Sequence, residues 1–94
     1  MKTGNAPLFA CEDFFIEYET GEIPWVKLFS KAGEKELSEL EPGKRSRLFA
    51  AAMEIERIML QLYNPAKITI ASFGNYHPKV HLHVMARFED DSFF

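Results

Sequence analysis

The sequence predicts an α+β fold, in which one long helix packs against a mostly antiparallel sheet of five strands. Three strand-like segments precede a long segment of helical periodicity and two follow it, which gives the order β-β-β-α-β-β. The strand-like segments are residues 8–10, 14–19, 25–30, 67–73 and 79–88. Because a single helix follows the third strand, most neighbouring strands are expected to run antiparallel.

The second and third strands are predicted to form a hairpin. Residues 14–19 read as a strand that places Phe14, Ile16 and Tyr18 on one face and Phe15, Glu17 and Glu19 on the other. The turn residues Thr20–Pro24 separate this segment from the strand 25–30. A short loop of this kind joins antiparallel neighbours.

The long helix is predicted to run from Pro42 to Tyr63. Ser38 and Glu41 have the spacing of a capping box, and Pro42 suits a first helical turn. Asn64-Pro65 ends the helix. One apolar stripe is expected to face the sheet, formed by Leu48, Ala52, Ile55, Met59 and Leu62.

The bulk properties predict one globular domain that spans residues 1–94. The chain has 94 residues, of which 47% are hydrophobic and 27% charged. The core is expected within residues 8–88, and residues 1–6 are expected to be a loose start. A chain this short gains buried area by forming an oligomer.

The net charge, the apolar runs and the cysteine content limit which partners and which cellular compartment are expected. The net charge of −3 comes without a basic stripe, so nucleic acid is not an expected partner. Apolar runs are too short to span a bilayer, so no membrane partner is expected. Cys11 is the only cysteine and cannot form an internal disulfide, which favours a reducing, cytoplasmic location.

The segment Lys79–Arg87 carries the strongest functional signal. In a strand, His81, His83, Met85 and Arg87 share one face, and the two imidazoles start about 6–7 Å apart at the backbone. Such a pair can act on one bound phosphate. A structural pair of histidines is a second reading, and a metal site completed by His77 or Glu17 is a third. Arg87 is expected in a salt bridge with Glu89 or with an acidic group of a partner.

The chain resembles the histidine triad (HIT) superfamily of nucleotide hydrolases and transferases, in a bacterial branch. The family motif alternates histidines with apolar residues, as Lys79–Met85 does here. The similarity covers residues 8–94 and includes the segments Ile23–Trp25, Leu40–Pro42, Ile68–Asn75 and Ala86–Asp91.

The resemblance implies a role for each candidate residue. His81 matches the family nucleophile, with its other ring nitrogen held by the backbone carbonyl of Lys79. His83 matches the histidine that donates to the phosphate. Asn75 matches a polar position near the phosphate or leaving group, and Glu17 a carboxylate on the ribose, with Glu19 as a rival.

Two of the four family histidines are replaced. The first histidine of the triad is Lys79, which can serve as a phosphate-binding cation or point to solvent. The additional family histidine falls at Trp25, which we interpret as a packing or subunit-contact residue.

The implied function is cleavage at the α-phosphate of dinucleoside polyphosphates or nucleoside phosphoramidates through a nucleotidyl-histidine. The alternative is a nucleotide-binding module with little turnover. A purine nucleotide is the expected ligand, no cofactor is required, and a divalent metal can assist a polyphosphate substrate. The family pairs subunits through the long helix and adjoining sheet, so a homodimer is expected.

Overall fold

The computed structural model describes residues 8–72 and 79–92. Within these ranges one long helix lies against a five-stranded antiparallel sheet of strand order β1-β2-β3-β5-β4. The elements are β1 (Phe9–Ala10), β2 (Phe14–Tyr18), β3 (Trp25–Ser30), a 3₁₀ turn (Leu37–Glu39), α1 (Pro42–Tyr63), β4 (Lys67–Ala71) and β5 (His81–Arg87). The predicted fold class and element order are confirmed.

The two strands after the helix are shorter than predicted. Strand β4 ends at Ala71, and β5 begins at His81 rather than at Lys79. Val80 instead joins the loop after β3, where its N–H donates to the Glu34 carbonyl at 2.6 Å and its carbonyl accepts from Ser30 N–H at 3.1 Å. The predicted loose segment 1–6 lies outside the described residues.

The register of β3 against β5 separates the two faces of the sheet. Val26 opposes Val84 and Leu28 opposes Leu82, and these four residues are buried toward the helix. The alternate pairs are Trp25 with Met85, Lys27 with His83 and Phe29 with His81. Because side chains alternate along a strand, the second set occupies the other side, which we call the histidine face.

Helix α1 buries only part of the predicted stripe. Leu48, Ala52 and Met59 are buried, and Ile55 is partly buried. Leu62, in the last turn, is 70% exposed, so its assignment to the core is wrong. Leu62 instead lines an apolar groove of about 190 Å³, to which side chains of α1, β2 and β3 contribute.

The start of α1 also differs from the prediction. The N-cap is Glu41, whose carboxylate accepts from the Lys44 N–H at 3.0 Å, with Pro42 in the first turn. The proposed Ser38–Glu41 capping box is therefore wrong, because Ser38 lies inside the 3₁₀ turn. Asn64 ends the helix in a left-handed conformation, with φ of 47°.

None of the helices in the described part of the chain has the length and apolarity needed to cross a membrane.

Candidate active site

Five rings lie side by side across the histidine face. Phe15 stacks on Phe29 with ring centroids 5.0 Å apart, and Phe29 stacks on His81 at 4.7 Å. His81 and His83 are 4.7 Å apart, and His83 lies 5.7 Å from Trp25. The antiparallel register produces this row, because it brings alternate residues of β2, β3 and β5 side by side.

The ring of His81 is fixed by a backbone carbonyl. Its Nδ1 lies 2.8 Å from the carbonyl oxygen of Lys79. A carbonyl only accepts, so Nδ1 carries a proton, and in the neutral ring the lone pair lies on Nε2. This is the hydrogen bond that the family resemblance implies, and it does not depend on the side chain of residue 79.

The ring of His83 is held by a hydrogen bond in which its Nδ1 accepts, whereas Nδ1 of His81 donates. The indole Nε1–H of Trp25 donates to Nδ1 of His83 at 2.9 Å. An indole nitrogen only donates, so Nδ1 of His83 is the acceptor and the proton lies on Nε2. The two neighbouring imidazoles thus hold complementary tautomers: His81 presents a lone pair at Nε2 and His83 presents an N–H.

Burial makes these hydrogen bonds important. His81 is 6% exposed and His83 is 5% exposed. A buried polar ring without partners is costly, and the Lys79 carbonyl and the Trp25 indole each satisfy one ring nitrogen. The same contacts would serve a purely structural pair, and it is the complementary tautomers, rather than burial, that suit the two rings to act on a phosphate.

Glu17 and Lys79 lie at the borders of the site. Glu17 opposes Lys27 in the β2–β3 register, and Lys27 opposes His83 in the β3–β5 register. The rival Glu19 forms an ion pair with Lys27 at 2.7 Å. The Lys79 side chain is exposed, and its terminal carbons lie over Gly33.

Asn75 and His77 lie outside the described residues. Among the residues that are described, no group of three or more His, Cys, Asp and Glu side chains is arranged to hold a metal ion. The metal-site reading therefore has no support within residues 8–72 and 79–92.

Arg87 pairs with Asp91 rather than with Glu89. Its guanidinium donates two hydrogen bonds to the Asp91 carboxylate, at 3.0 and 2.9 Å. This hydrogen bonding to Asp91 is the main reason that the pKa of Arg87 is raised. Asp91 also accepts from the Phe88 N–H at 2.7 Å, which fixes the turn after β5. Glu89 faces solvent in that turn.

Trp25 is the site residue that the sequence interpretation missed. It was assigned to packing or subunit contact, although the additional family histidine falls at this position. Trp25 and His83 are diagonal neighbours across β3 and β5. Diagonal positions lie about 7–8 Å apart, within reach of an aromatic side chain. The register of β3 against β5 is therefore the information from which the contact between Trp25 and His83 could have been predicted.

Solved structures with the same fold come from several bacteria. A histidine triad protein from Marinobacter aquaeolei VT8 superposes with a TM-score of 0.84 at 26% identity, covering 92% of this chain and 64% of that one. A histidine triad protein from Sinorhizobium meliloti 1021 gives a TM-score of 0.84 at 26% identity, over 92% of this chain and 65% of that one. A third, from Bradyrhizobium japonicum, gives 0.84 at 20% identity, over 93% of this chain and 66% of that one.

The chain spans just under two thirds of the length of these three proteins. No protein-family model matches it, and no curated protein matches it by sequence.

Fold and site together define a class of small α+β proteins in which the strand beside the centre of the sheet carries paired histidines. The chain belongs to the histidine triad superfamily.

Proposed function

We propose that the protein is a nucleotide phosphohydrolase or nucleotidyl transferase. It acts at the α-phosphate of dinucleoside polyphosphates or nucleoside phosphoramidates, through a nucleotidyl intermediate on His81. The observation that carries this proposal is the complementary pair of tautomers on two rings 4.7 Å apart. A lone pair beside an N–H is the arrangement needed to attack a phosphorus while donating to its oxygens.

In the first step, Nε2 of His81 attacks the α-phosphorus. A P–N bond forms, the bond to the leaving group breaks, and its electron pair departs with the leaving group, which is a phosphate anion from a polyphosphate or, from a phosphoramidate, an amine whose nitrogen has first taken a proton from water. The proton on Nδ1 stays in place, because the positive charge that develops on the ring is stabilised by the Lys79 carbonyl 2.8 Å away. His83 donates from Nε2 to a phosphate oxygen throughout the step.

In the second step, water attacks the same phosphorus. A P–O bond forms, the P–N bond breaks, and its electron pair returns to Nε2 of His81. The proton of the water passes to solvent, and a nucleoside monophosphate leaves. A transferase would differ only in using another nucleophile in place of water.

The remaining candidate residues are proposed to bind the nucleotide. Glu17 would accept from the ribose hydroxyls, Lys79 would contribute a cation near the phosphates, and Asn75 would contact the phosphate or leaving group. The scheme requires no cofactor, and a divalent metal would act by screening the charge of a polyphosphate. The single Cys11 suits a reducing compartment, and we propose action in the cytoplasm on a purine nucleotide.

A binding module with little turnover is the second candidate. It is favoured by Lys79 and Trp25, which stand where the family resemblance expects histidines. Of the four imidazoles in the family site, this chain retains His81 and His83.

A homodimer is proposed on the apolar groove beside α1. The groove is lined by side chains of α1, β2, β3 and residue 8, of which Leu62 is 70% exposed and Ile58 42% exposed. Exposed apolar surface of this kind marks an interaction site. A second copy of the chain would cover it through the same helix and sheet.

The test is a turnover assay with diadenosine polyphosphates and adenosine phosphoramidate, with release of nucleoside monophosphate as the readout. We expect release by the wild type and at least about a 10³-fold loss in His81→Ala, with nucleotide binding retained. Lys79→Ala removes the proposed phosphate-binding cation but keeps the carbonyl that orients His81, so its loss should be limited to about tenfold, far smaller than that of His81→Ala. No release by the wild type, with nucleotides still raising the melting temperature, would favour the binding module.

A further inference from the structure

Trp25 contributes its indole N–H to the site. The side chain is half-buried on the histidine face, and its Nε1 lies 2.9 Å from Nδ1 of His83. The centroids of the two rings are 5.7 Å apart and their planes are tilted by 59°, so the contact is made edge-on through the hydrogen bond rather than by stacking.

This hydrogen bond restricts the chemistry available to His83. An indole cannot accept, so Nδ1 of His83 can take a proton only if the bond to Trp25 is broken. While the bond holds, His83 is a neutral imidazole with its single proton on Nε2. Such a ring donates a hydrogen bond, but it is a poor general acid because giving up that proton would leave an imidazolate.

Without an effective general acid, His83 cannot protonate a leaving group. An amine leaves an α-phosphorus only after its nitrogen has been protonated, because the free amide anion is too basic to depart. A phosphate or nucleotide leaves as an anion, and hydrogen-bond donors or a metal ion stabilise its charge without transferring a proton.

We propose that Trp25 is a positioning residue that holds His83 as a neutral donor, and that it thereby selects substrates whose leaving group departs as a phosphate anion. This inference rests on the proposed function and narrows it to nucleoside polyphosphates over phosphoramidates. In the favoured reaction the P–N bond to His81 forms as the P–O bond to the leaving phosphate breaks. The electron pair stays on the leaving oxygen, and no proton moves on His83.

The tautomer is tested directly by long-range ¹H–¹⁵N NMR of the imidazoles. The wild type should show a pyridine-type signal for Nδ1 of His83 and a pyrrole-type signal for Nε2. Trp25→Phe keeps an aromatic ring but loses the N–H, and both signals should move toward intermediate values as the tautomers exchange. A pyrrole-type Nδ1 in the wild type, or an unchanged spectrum in Trp25→Phe, would overturn the positioning role.

The selectivity is tested by the ratio of kcat/KM for diadenosine tetraphosphate to kcat/KM for adenosine phosphoramidate. We expect a wild-type ratio above about 10, and a fall of at least about tenfold in Trp25→His, whose ring can hold and exchange a proton with His83. Phe15→Leu, on the same face but two rings removed from His83, should keep the wild-type ratio. A wild-type ratio near one, or the same ratio in Trp25→His, would contradict the selectivity.

The two experiments separate the failure of this inference from the failure of the proposed function. If the wild type cleaves neither substrate, the proposed function fails and the selectivity fails with it. The NMR spectrum then still decides whether Trp25 sets the tautomer of His83.

Discussion

Glu17 and His83 lie in the same register row of the sheet, on either side of Lys27. Adjacent strands are about 4.8 Å apart, so the backbones of the two residues are separated by about 10 Å across β3. A nucleotide with its α-phosphate at the histidines would extend along this row toward the carboxylate.

Replacing Glu17 is therefore expected to weaken ribonucleotide binding. Glu17→Gln should raise KM by about tenfold, because it replaces a charged acceptor for the ribose hydroxyls, and kcat should change little. A substrate without the 2′ and 3′ hydroxyls should respond equally in the wild type and the variant. Glu19→Gln is the matched control, since Glu19 is paired with Lys27 at 2.7 Å. A larger KM effect from Glu19→Gln would transfer the ribose role to that residue.

The burial pattern of α1 predicts that two of its leucines contribute very differently to the free energy of unfolding. Leu48 is 2% exposed and Leu60 is 45% exposed on the same helix. Leu48→Ala should lower the free energy of unfolding by about 2–5 kcal/mol, and Leu48→Asp should prevent folding or cost more. Leu60→Ala should cost less than about 1 kcal/mol. Chemical denaturation measures both, and equal losses would show that the stripe is misassigned.

The loss of folding stability at acid pH is expected to depend on Glu34. The pKa of this carboxyl is held below its usual value of 4.5, first by the Ser30 hydroxyl, which donates to it at 2.6 Å, and further by Lys44. The folded state thus binds its proton at lower pH than the unfolded state. The resulting stability is present above about pH 4.5 and is lost as the pH falls through the folded pKa.

Glu34→Gln should make the acid-side loss of stability shallower, as measured by melting temperatures between about pH 7 and about pH 3. Ser30→Ala should act in the same direction, because it removes the main cause of the shift. An acid limb as steep as that of the wild type in Glu34→Gln would rule out this contribution.

The apolar groove predicts the state of association. Ile58→Asp introduces a charge on the groove and should convert a dimer to a monomer in sedimentation experiments. Met53→Asp changes an equally exposed side chain of α1 that does not line the groove, and should leave the dimer intact. A wild type that sediments as a monomer at all concentrations would refute the homodimer.

The sequence was sufficient for the elements with strong periodicity. The alternation in Phe14–Tyr18 and His81–Arg87 located two strands and their faces, and the predicted range of α1, about Pro42 to Tyr63, agrees with the observed helix. The ends of β4 and β5 were harder to predict from the sequence. Val80, for example, hydrogen-bonds to the loop at Glu34, a contact that the local sequence does not encode.

Pairwise contacts were the least predictable part of the site. Helical spacing placed Leu62 in the stripe that faces the sheet, but it did not show that Leu62 is 70% exposed and lines a groove. The sequence predicts that Arg87 pairs with Glu89 or with an acidic group of a partner, whereas the turn after β5 brings Asp91 back to it. The role of Trp25 depends on the β3–β5 register, which no single segment determines.

The stereochemical course at the α-phosphorus tests the central claim most directly. A dinucleoside polyphosphate with a chiral α-phosphorothioate would be hydrolysed in ¹⁸O-labelled water, and the configuration of the product determined. Attack by His81 followed by attack of water gives two inversions, so we expect net retention in the wild type and no product from His81→Ala. Net inversion would mean that water attacks directly, and it would contradict a nucleotidyl-His81 intermediate.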